Sequence, residues 1–275
     1  MTTIPTIDFA LFDHDPTTCS KQIKEASEVI GFFYLKNHGI RQELIDEVFE
    51  NACHTLCMKV LQLFAIALEI PDSEGGKSWF ENRHRYETPS GDILRILHYP
   101  AMKNDEIGKD EIRAGSHSDY GSLTILFQKD VGGLELLSNT TDPPLWTPAP
   151  IIPNHVLINI GDLLEFWSKG LFKSTIHRVV FRTNETSADE TSFNDERQKA
   201  SDLDYQDRYS IAYFCHAEDD VKIDPIPSKI INERDENVSR ILDKIGHKEN
   251  AKLDVHKVIT AGEYLKCRLD ASYKY

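Results

Sequence analysis

The chain has 275 residues, 40% of them apolar, a length that suits one large domain or two small ones. With 31 Lys and Arg against 45 Asp and Glu, the net charge of -14 disfavours a polyanion or an anionic membrane surface, so nucleic acid is not an expected partner. The five cysteines form no Cys-x-x-Cys pair, Met1–Pro5 begins without a basic or apolar leader, and no apolar run approaches the ~20 residues of a membrane span, which together predict a soluble, cytoplasmic protein.

In chain order, Ile4–Phe9 alternates as a short strand and Asp13–Pro16 reads as a turn. Ile23, Ala26, Val29 and Ile30 recur at helical spacing until Gly31, where Gly31–Lys36 becomes a buried strand closed by Asn37-His38-Gly39. Leu44, Ile45, Val48 and Phe49 mark a second amphipathic helix, and Ala52–Ile70 is apolar on almost every face, as in a helix packed inside a domain. Within it, Cys53 and Cys57 flank His54 and read as buried free thiols. Beyond the Asp72–Lys77 loop the chain turns to short β-rich runs: Leu94–Tyr99, Leu123–Phe127, Leu134–Leu137, His155–Ile160, Ile176–Val180 and Tyr209–Phe214. Strands of this length and spacing predict a sandwich or jelly roll. Thr183–Asp207 is polar and acidic and reads as a surface excursion between core strands. Helical spacing returns with Val238, Ile241, Leu242 and Ile245, and again from Thr260. The expectation is one α+β domain over 1–275 with a mainly β core: a helix-rich part to about residue 90, a core at about 91–225, and helices at about 230–275.

Three separated residues carry the chemistry: His117 and Asp119 in Gly115-Ser116-His117-Ser118-Asp119-Tyr120, and His177 in Ser174-Thr175-Ile176-His177-Arg178. Two imidazoles and one carboxylate can hold a ferrous ion on one face and leave the opposite positions open for substrate and dioxygen. Downstream, Arg208 and Ser210 stand two apart on a strand and so share a face, where a guanidinium fork beside a hydroxyl suits a carboxylate. The order His-x-Asp, distal His, Arg-x-Ser points to an oxygenase that uses iron and a dicarboxylic acid. His98, His155 and His216 show no matching partner and read as structural or solvent-facing.

Gly31–Ile40, His117–Gly121, Asn159-Ile160-Gly161-Asp162, His177-Arg178-Val179, Arg208-Tyr209-Ser210 and the ending Thr260–Leu265 resemble, in this order, the iron(II)/2-oxoglutarate-dependent oxygenase superfamily, in its isopenicillin N synthase-like branch. The resemblance implies a distorted double-stranded β-helix, a jelly roll with flanking helices. It also implies His117, Asp119 and His177 as ligands of Fe(II), and Arg208 and Ser210 as partners of the distal carboxylate of 2-oxoglutarate. Tyr99 matches a position that contributes to the cosubstrate pocket, and Leu126, Leu134, Val156 and Val179 are candidate pocket walls. O2 would be a substrate, beside a small organic molecule that is hydroxylated, desaturated or cyclised. Oligomeric state is not legible.

One departure from the family pattern stands out. Glu47–Glu50 runs almost directly into Ala52–Leu56, where relatives carry a long intervening segment that adds a strand and walls the substrate pocket. An exposed sheet edge and an open iron site are the corresponding expectations. Two other readings therefore stand beside the dioxygenase: a 2-oxoglutarate-independent iron oxidase of the same fold, and a catalytically impaired or non-catalytic family member.

Overall fold

The computed structural model describes residues 4–39, 49–101, 112–138, 142–180, 207–234 and 259–272. Two antiparallel-rich sheets face each other as a jelly roll. The larger runs β1-β2-β8-β5-β10-β3, and the smaller runs β4-β9-β6-β7. Their strands are β1 (Thr6–Asp8), β2 (Phe32–Lys36), β3 (Ile93–Tyr99), β4 (Ile112–His117), β5 (Leu123–Gln128), β6 (Leu134–Ser138), β7 (Leu145–Pro148), β8 (Val156–Ile160), β9 (His177–Val180) and β10 (Arg208–Cys215).

Strand β8 shows why the sheets assemble this way. Every residue of Val156-Leu157-Ile158-Asn159-Ile160 is buried, the signature of a central strand covered on both faces. Val156, Ile158 and Ile160 join the large core beneath the helices, whereas Leu157 joins Phe32, Tyr34, Leu134, Leu136 and Val179 between the sheets. Asn159 shares the inward face with Leu157 by the two-residue period of a strand.

The helices cover the outer face of the large sheet. Helix α1 (Leu11–His14) occupies part of the stretch expected to be a turn, and α2 (Pro16–Val29) follows after Asp15, whose carboxylate caps the amide of Thr18. Proline at the first position is compatible with a helix start, because its missing N–H has no intrahelical partner there. Helix α3 (Phe49–Ala67) buries Cys53, Leu56, Cys57, Val60, Leu61 and Phe64 in the large core. Cys53 and Cys57 are both buried, and neither forms a disulfide. The helix expected around Leu44–Val48, the Thr183–Gln206 stretch and the Val238–Ile245 helix lie outside the described residues. A C-terminal helix, Ala261–Ser272, packs back through Ala261 and Tyr264.

At one edge of the large sheet, β3 leaves Ile96 76% exposed. No helix among the described residues is long and apolar enough to cross a membrane.

Candidate active site

The two histidines come from opposite sides of one strand pair. β4 and β9 are antiparallel, and His117 is the direct register partner of His177. Two register irregularities, between Ile112 and Ala114 and between Ala114 and His117, interrupt the ladder just before His117. Such bulges re-aim a side chain at the end of a strand. The imidazole rings lie 4.4 Å apart.

Asp119 enters from the turn that follows β4. Its Oδ1 stands 3.8 Å from Nε2 of His117 and 3.7 Å from Nε2 of His177. One ligand atom from each of the three residues falls within 4.8 Å of the others. The remaining atoms are held elsewhere. Asp119 Oδ2 accepts from Thr124 Oγ1 and from Asn159 Nδ2, both at 2.7 Å. His117 Nδ1 donates to the Gly115 carbonyl at 2.7 Å, and His177 Nδ1 to the Thr175 carbonyl at 3.0 Å. A proton on each Nδ1 leaves the Nε2 lone pairs and Oδ1 aimed at one point, which is how surrounding groups orient a metal-binding face.

The electrostatics agree. Burial would raise the Asp119 carboxyl, but His177, the Thr124 and Asn159 hydrogen bonds and His117 together hold it below the usual carboxylate range. Burial likewise pulls His177 down toward its neutral form, against the pull of Asp119. A neutral imidazole beside an ionised carboxylate is the donor set a divalent cation needs.

Local backbone chemistry fixes these positions. Gly31 sits at φ +75°, and a Cβ there would meet the Lys173 carbonyl at 2.0 Å, so glycine is required for the loop leading into His177 to approach β2. Phe32 then places its ring edge-on to His177, 5.7 Å away. On the other side, Gly161 and the first turn of α4 (Asp162–Trp167) clamp the Asp119 turn. The amides of Gly161, Asp162 and Leu163 donate to the carbonyls of Ser122, Asp119 and Gly121 at 3.0, 2.8 and 3.1 Å. Asp162 accepts from Ser118 Oγ at 3.0 Å and pairs with Arg268 of the C-terminal helix at 3.0 Å.

Arg208 and Ser210 share the inward face of β10 with Ala212 and Phe214. Arg208 is 1% exposed and Ser210 3%. The guanidinium donates to Ser210 Oγ at 3.1 Å and to Gln128 Oε1 at 3.4 Å, and lies 5.1 Å from the Tyr99 ring. Its Nε is buried without a hydrogen-bond partner. Among the described residues no carboxylate reaches it. A buried guanidinium with an unsatisfied N–H is costly unless an anion completes it.

These groups converge on one cavity of about 70 Å³. His117, Asp119 and His177 stand at one part of its lining, and Tyr99, Arg208 and Ser210 at another. Leu126, Leu134 and Val179 line it as expected. Val156 does not, because the strand period turns it toward the helices and into the large core. His98 is exposed, as expected, and has a partner that the sequence does not show: it pairs with Asp207 at 3.0 Å and stacks on Tyr209 at 4.5 Å. Asn159, Thr124 and Asp162 are site residues that the sequence does not single out, although Asn159 and Asp162 belong to the quoted Asn-Ile-Gly-Asp motif.

Comparison with known proteins gives this arrangement a family. Residues 90–217 match the 2OG-Fe(II) oxygenase superfamily, and residues 4–55 match the N-terminal region described as non-haem dioxygenase in morphine synthesis. The 2-oxoglutarate-dependent dioxygenase iboH of Amanita muscaria is 33% identical over 185 residues, covering 67% of this chain and 77% of that protein. A UPF0676 protein of Schizosaccharomyces pombe is 29% identical over 259 residues, covering 92% of this chain and 65% of the relative. The crystal structure of a full-length Neurospora crassa protein in complex with alpha-KG and 5-formyluracil superposes with a TM-score of 0.70 at 26% identity, covering 98% of this chain and 96% of that one. This chain belongs to the 2OG-Fe(II) oxygenase superfamily, whose cofactors are iron and 2-oxoglutarate. It spans 65%, 52% and 49% of the length of three of its curated relatives.

Proposed function

We propose that this chain is an Fe(II)- and 2-oxoglutarate-dependent dioxygenase of the isopenicillin N synthase-like branch, oxidising a small organic molecule by hydroxylation, desaturation or ring closure as a single cytoplasmic domain. The observation that carries the reading is the shared cavity. Three metal-binding atoms stand along one part of it, and the incompletely satisfied guanidinium of Arg208 stands along another. The residues fit both cofactors. His117, Asp119 and His177 would hold the iron, and Arg208 with Ser210 would hold the distal carboxylate of 2-oxoglutarate beside Tyr99. When bound, that pair supplies an oxidant at the expense of 2-oxoglutarate decarboxylation to succinate, with O2 as the second substrate.

The chain's own residues contribute position and exclusion. Asn159 and Thr124 lock the rotamer of Asp119, so that one oxygen alone faces the metal position. The apolar lining of Leu126, Leu134 and Val179 keeps water from the cosubstrate end and strengthens the Arg208–carboxylate interaction.

The test is anaerobic titration with ferrous iron and then with 2-oxoglutarate, followed by succinate measurement in air. One iron per chain, lost in His177→Ala, and saturable 2-oxoglutarate binding are expected. Iron binding without 2-oxoglutarate binding would move the assignment to the oxidase, and binding of both without succinate release to the non-catalytic reading.

A further inference from the structure

A second, larger cavity of about 670 Å³ also has His117 in its lining. His117, Asp119 and Phe214 line both cavities, so the larger one adjoins the proposed iron position. Its volume falls within the range of small-molecule sites. Apolar walls come from Ile93 and Phe214 on the sheet and from Leu265 and Leu269 on the C-terminal helix.

The charges in this lining are mostly committed. Asp92 accepts from Tyr213 Oη at 2.7 Å and from the His216 amide at 2.6 Å, and it pairs with His54 Nδ1 at 3.3 Å. Asp119 faces the two histidines, Thr124 and Asn159. His216 is buried, and that burial draws it toward its neutral form. Arg95 differs. Its guanidinium lies 5.5 Å from the Phe214 ring, and no described carboxylate pairs with it. In a chain of net charge -14, an arginine that has no carboxylate partner among the described residues and lines a cavity beside the proposed metal position is a marked local reversal of sign.

The same arginine stands apart from the residues assigned to the cosubstrate. On β3, Tyr99 is the register partner of Arg208, whereas Arg95 pairs with Ala212 four residues along. At strand rise, those two β3 positions are about 13 Å apart, farther than the five-carbon chain of 2-oxoglutarate extends. The inner face of β3 and β10 therefore carries two cations, one toward each end, with the iron position between their cavities.

Resting on the dioxygenase reading above, we infer that the primary substrate is an organic acid whose carboxylate pairs with Arg95 and whose apolar body lies on Phe214, Leu265 and Leu269. The anionic group is held away from the iron, and a carbon along the apolar body is presented to His117.

The experiment compares matched probes. Calorimetry on the protein loaded with ferrous iron and 2-oxoglutarate under nitrogen would titrate 3-phenylpropanoate, cinnamate and octanoate against their primary amides. At least one acid should bind ~10-fold tighter than its amide, as expected for one partly solvated charged hydrogen bond. Arg95→Gln should bring that acid to the affinity of its amide, Arg95→Lys should restore part of the preference, and 2-oxoglutarate affinity should stay within ~2-fold in both. If no acid is preferred over its amide in the parent protein, or if Arg95→Gln keeps the preference, the inference is overturned. A fall in 2-oxoglutarate affinity in Arg95→Gln also overturns it and assigns Arg95 to the cosubstrate. Failure of the parent protein to bind iron or 2-oxoglutarate is a separate result, which removes the dioxygenase reading itself.

Discussion

Asn159 donates to Oδ2 of Asp119 at 2.7 Å from the middle of an otherwise apolar, fully buried strand. A side-chain amide in such a run would be unfavourable without a partner, and here that partner is the carboxylate proposed to hold iron. Replacing Asn159 with Leu should leave the fold in place but free the Asp119 rotamer. The expected result is a ~10- to 100-fold loss of ferrous affinity with 2-oxoglutarate binding largely kept. Unchanged iron affinity, measured by anaerobic competition with a chelator, would show that Thr124 alone suffices.

The contrast between Asn159 and its neighbours shows what sequence can and cannot supply. Val156 to Ile160 reads as a buried strand because its apolar run is uninterrupted, and the Asn at its fourth position stands out only within a motif. Strand β4 is not legible at all, since Ile112-Arg113-Ala114-Gly115-Ser116-His117 has neither an alternating nor a continuous apolar pattern. Its pairing comes from β9, and its bulges place His117. β7 escapes the pattern as well, because Leu145-Trp146-Thr147-Pro148 is short and ends in proline. The set proposed to hold iron is legible, because the chemistry dictates residue types whatever the path of the backbone. Thr124 is not. Its contact with Asp119 depends on where β5 begins, and spacing alone does not report that.

Arg208 and Ser210 should separate cleanly by substitution. Arg208→Ala leaves a bound carboxylate unpaired in a buried site, and should weaken 2-oxoglutarate binding by ~2 to 5 kcal/mol. Ser210→Ala removes about one hydrogen bond, worth ~1 kcal/mol. Calorimetry on both variants checks the order, and ferrous affinity should change little in either. Equal 2-oxoglutarate affinity in the parent and Arg208→Ala would assign the carboxylate elsewhere.

His84 predicts an acid limit to stability. The ring is 1% exposed, with Nδ1 donating to the Phe80 carbonyl and Nε2 accepting from Ser122 Oγ, both at 2.8 Å. Burial pushes its pKa down from 6.5 to about 4. The folded state thus resists a proton that the unfolded chain accepts, so the contribution is complete above pH ~6.5 and is lost as the pH falls toward ~4. The loss should be on the order of 3 kcal/mol. Denaturant midpoints across that interval should fall less steeply in His84→Gln, whose own stability at pH 7.5 will be lower. A parallel fall in both proteins would place the acid sensitivity in other groups.

The pair between Arg268 and Asp162 makes the C-terminal helix part of the site's support. The two side chains are 13% and 3% exposed, and their charged atoms are 3.0 Å apart. Arg268 also lies 4.4 Å from the Tyr120 ring, while Asp162 holds Ser118, next to His117. Burial already raises the pKa of Asp162, with Arg268 the largest opposing influence. Arg268→Met keeps much of the packing but strands the carboxylate, and should cost ~3 kcal/mol at pH 7.5. Asp162 would then have a folded pKa further above its unfolded value, so its proton-linked support is present at low pH and lost as the pH rises. The deficit of the variant should accordingly shrink toward pH 5. Adding Asp162→Asn should recover part of the loss at pH 7.5, because an amide does not carry the stranded charge. Denaturation of the single and double variants at both pH values distinguishes this from simple loss of helix packing, which would show neither the pH dependence nor the recovery.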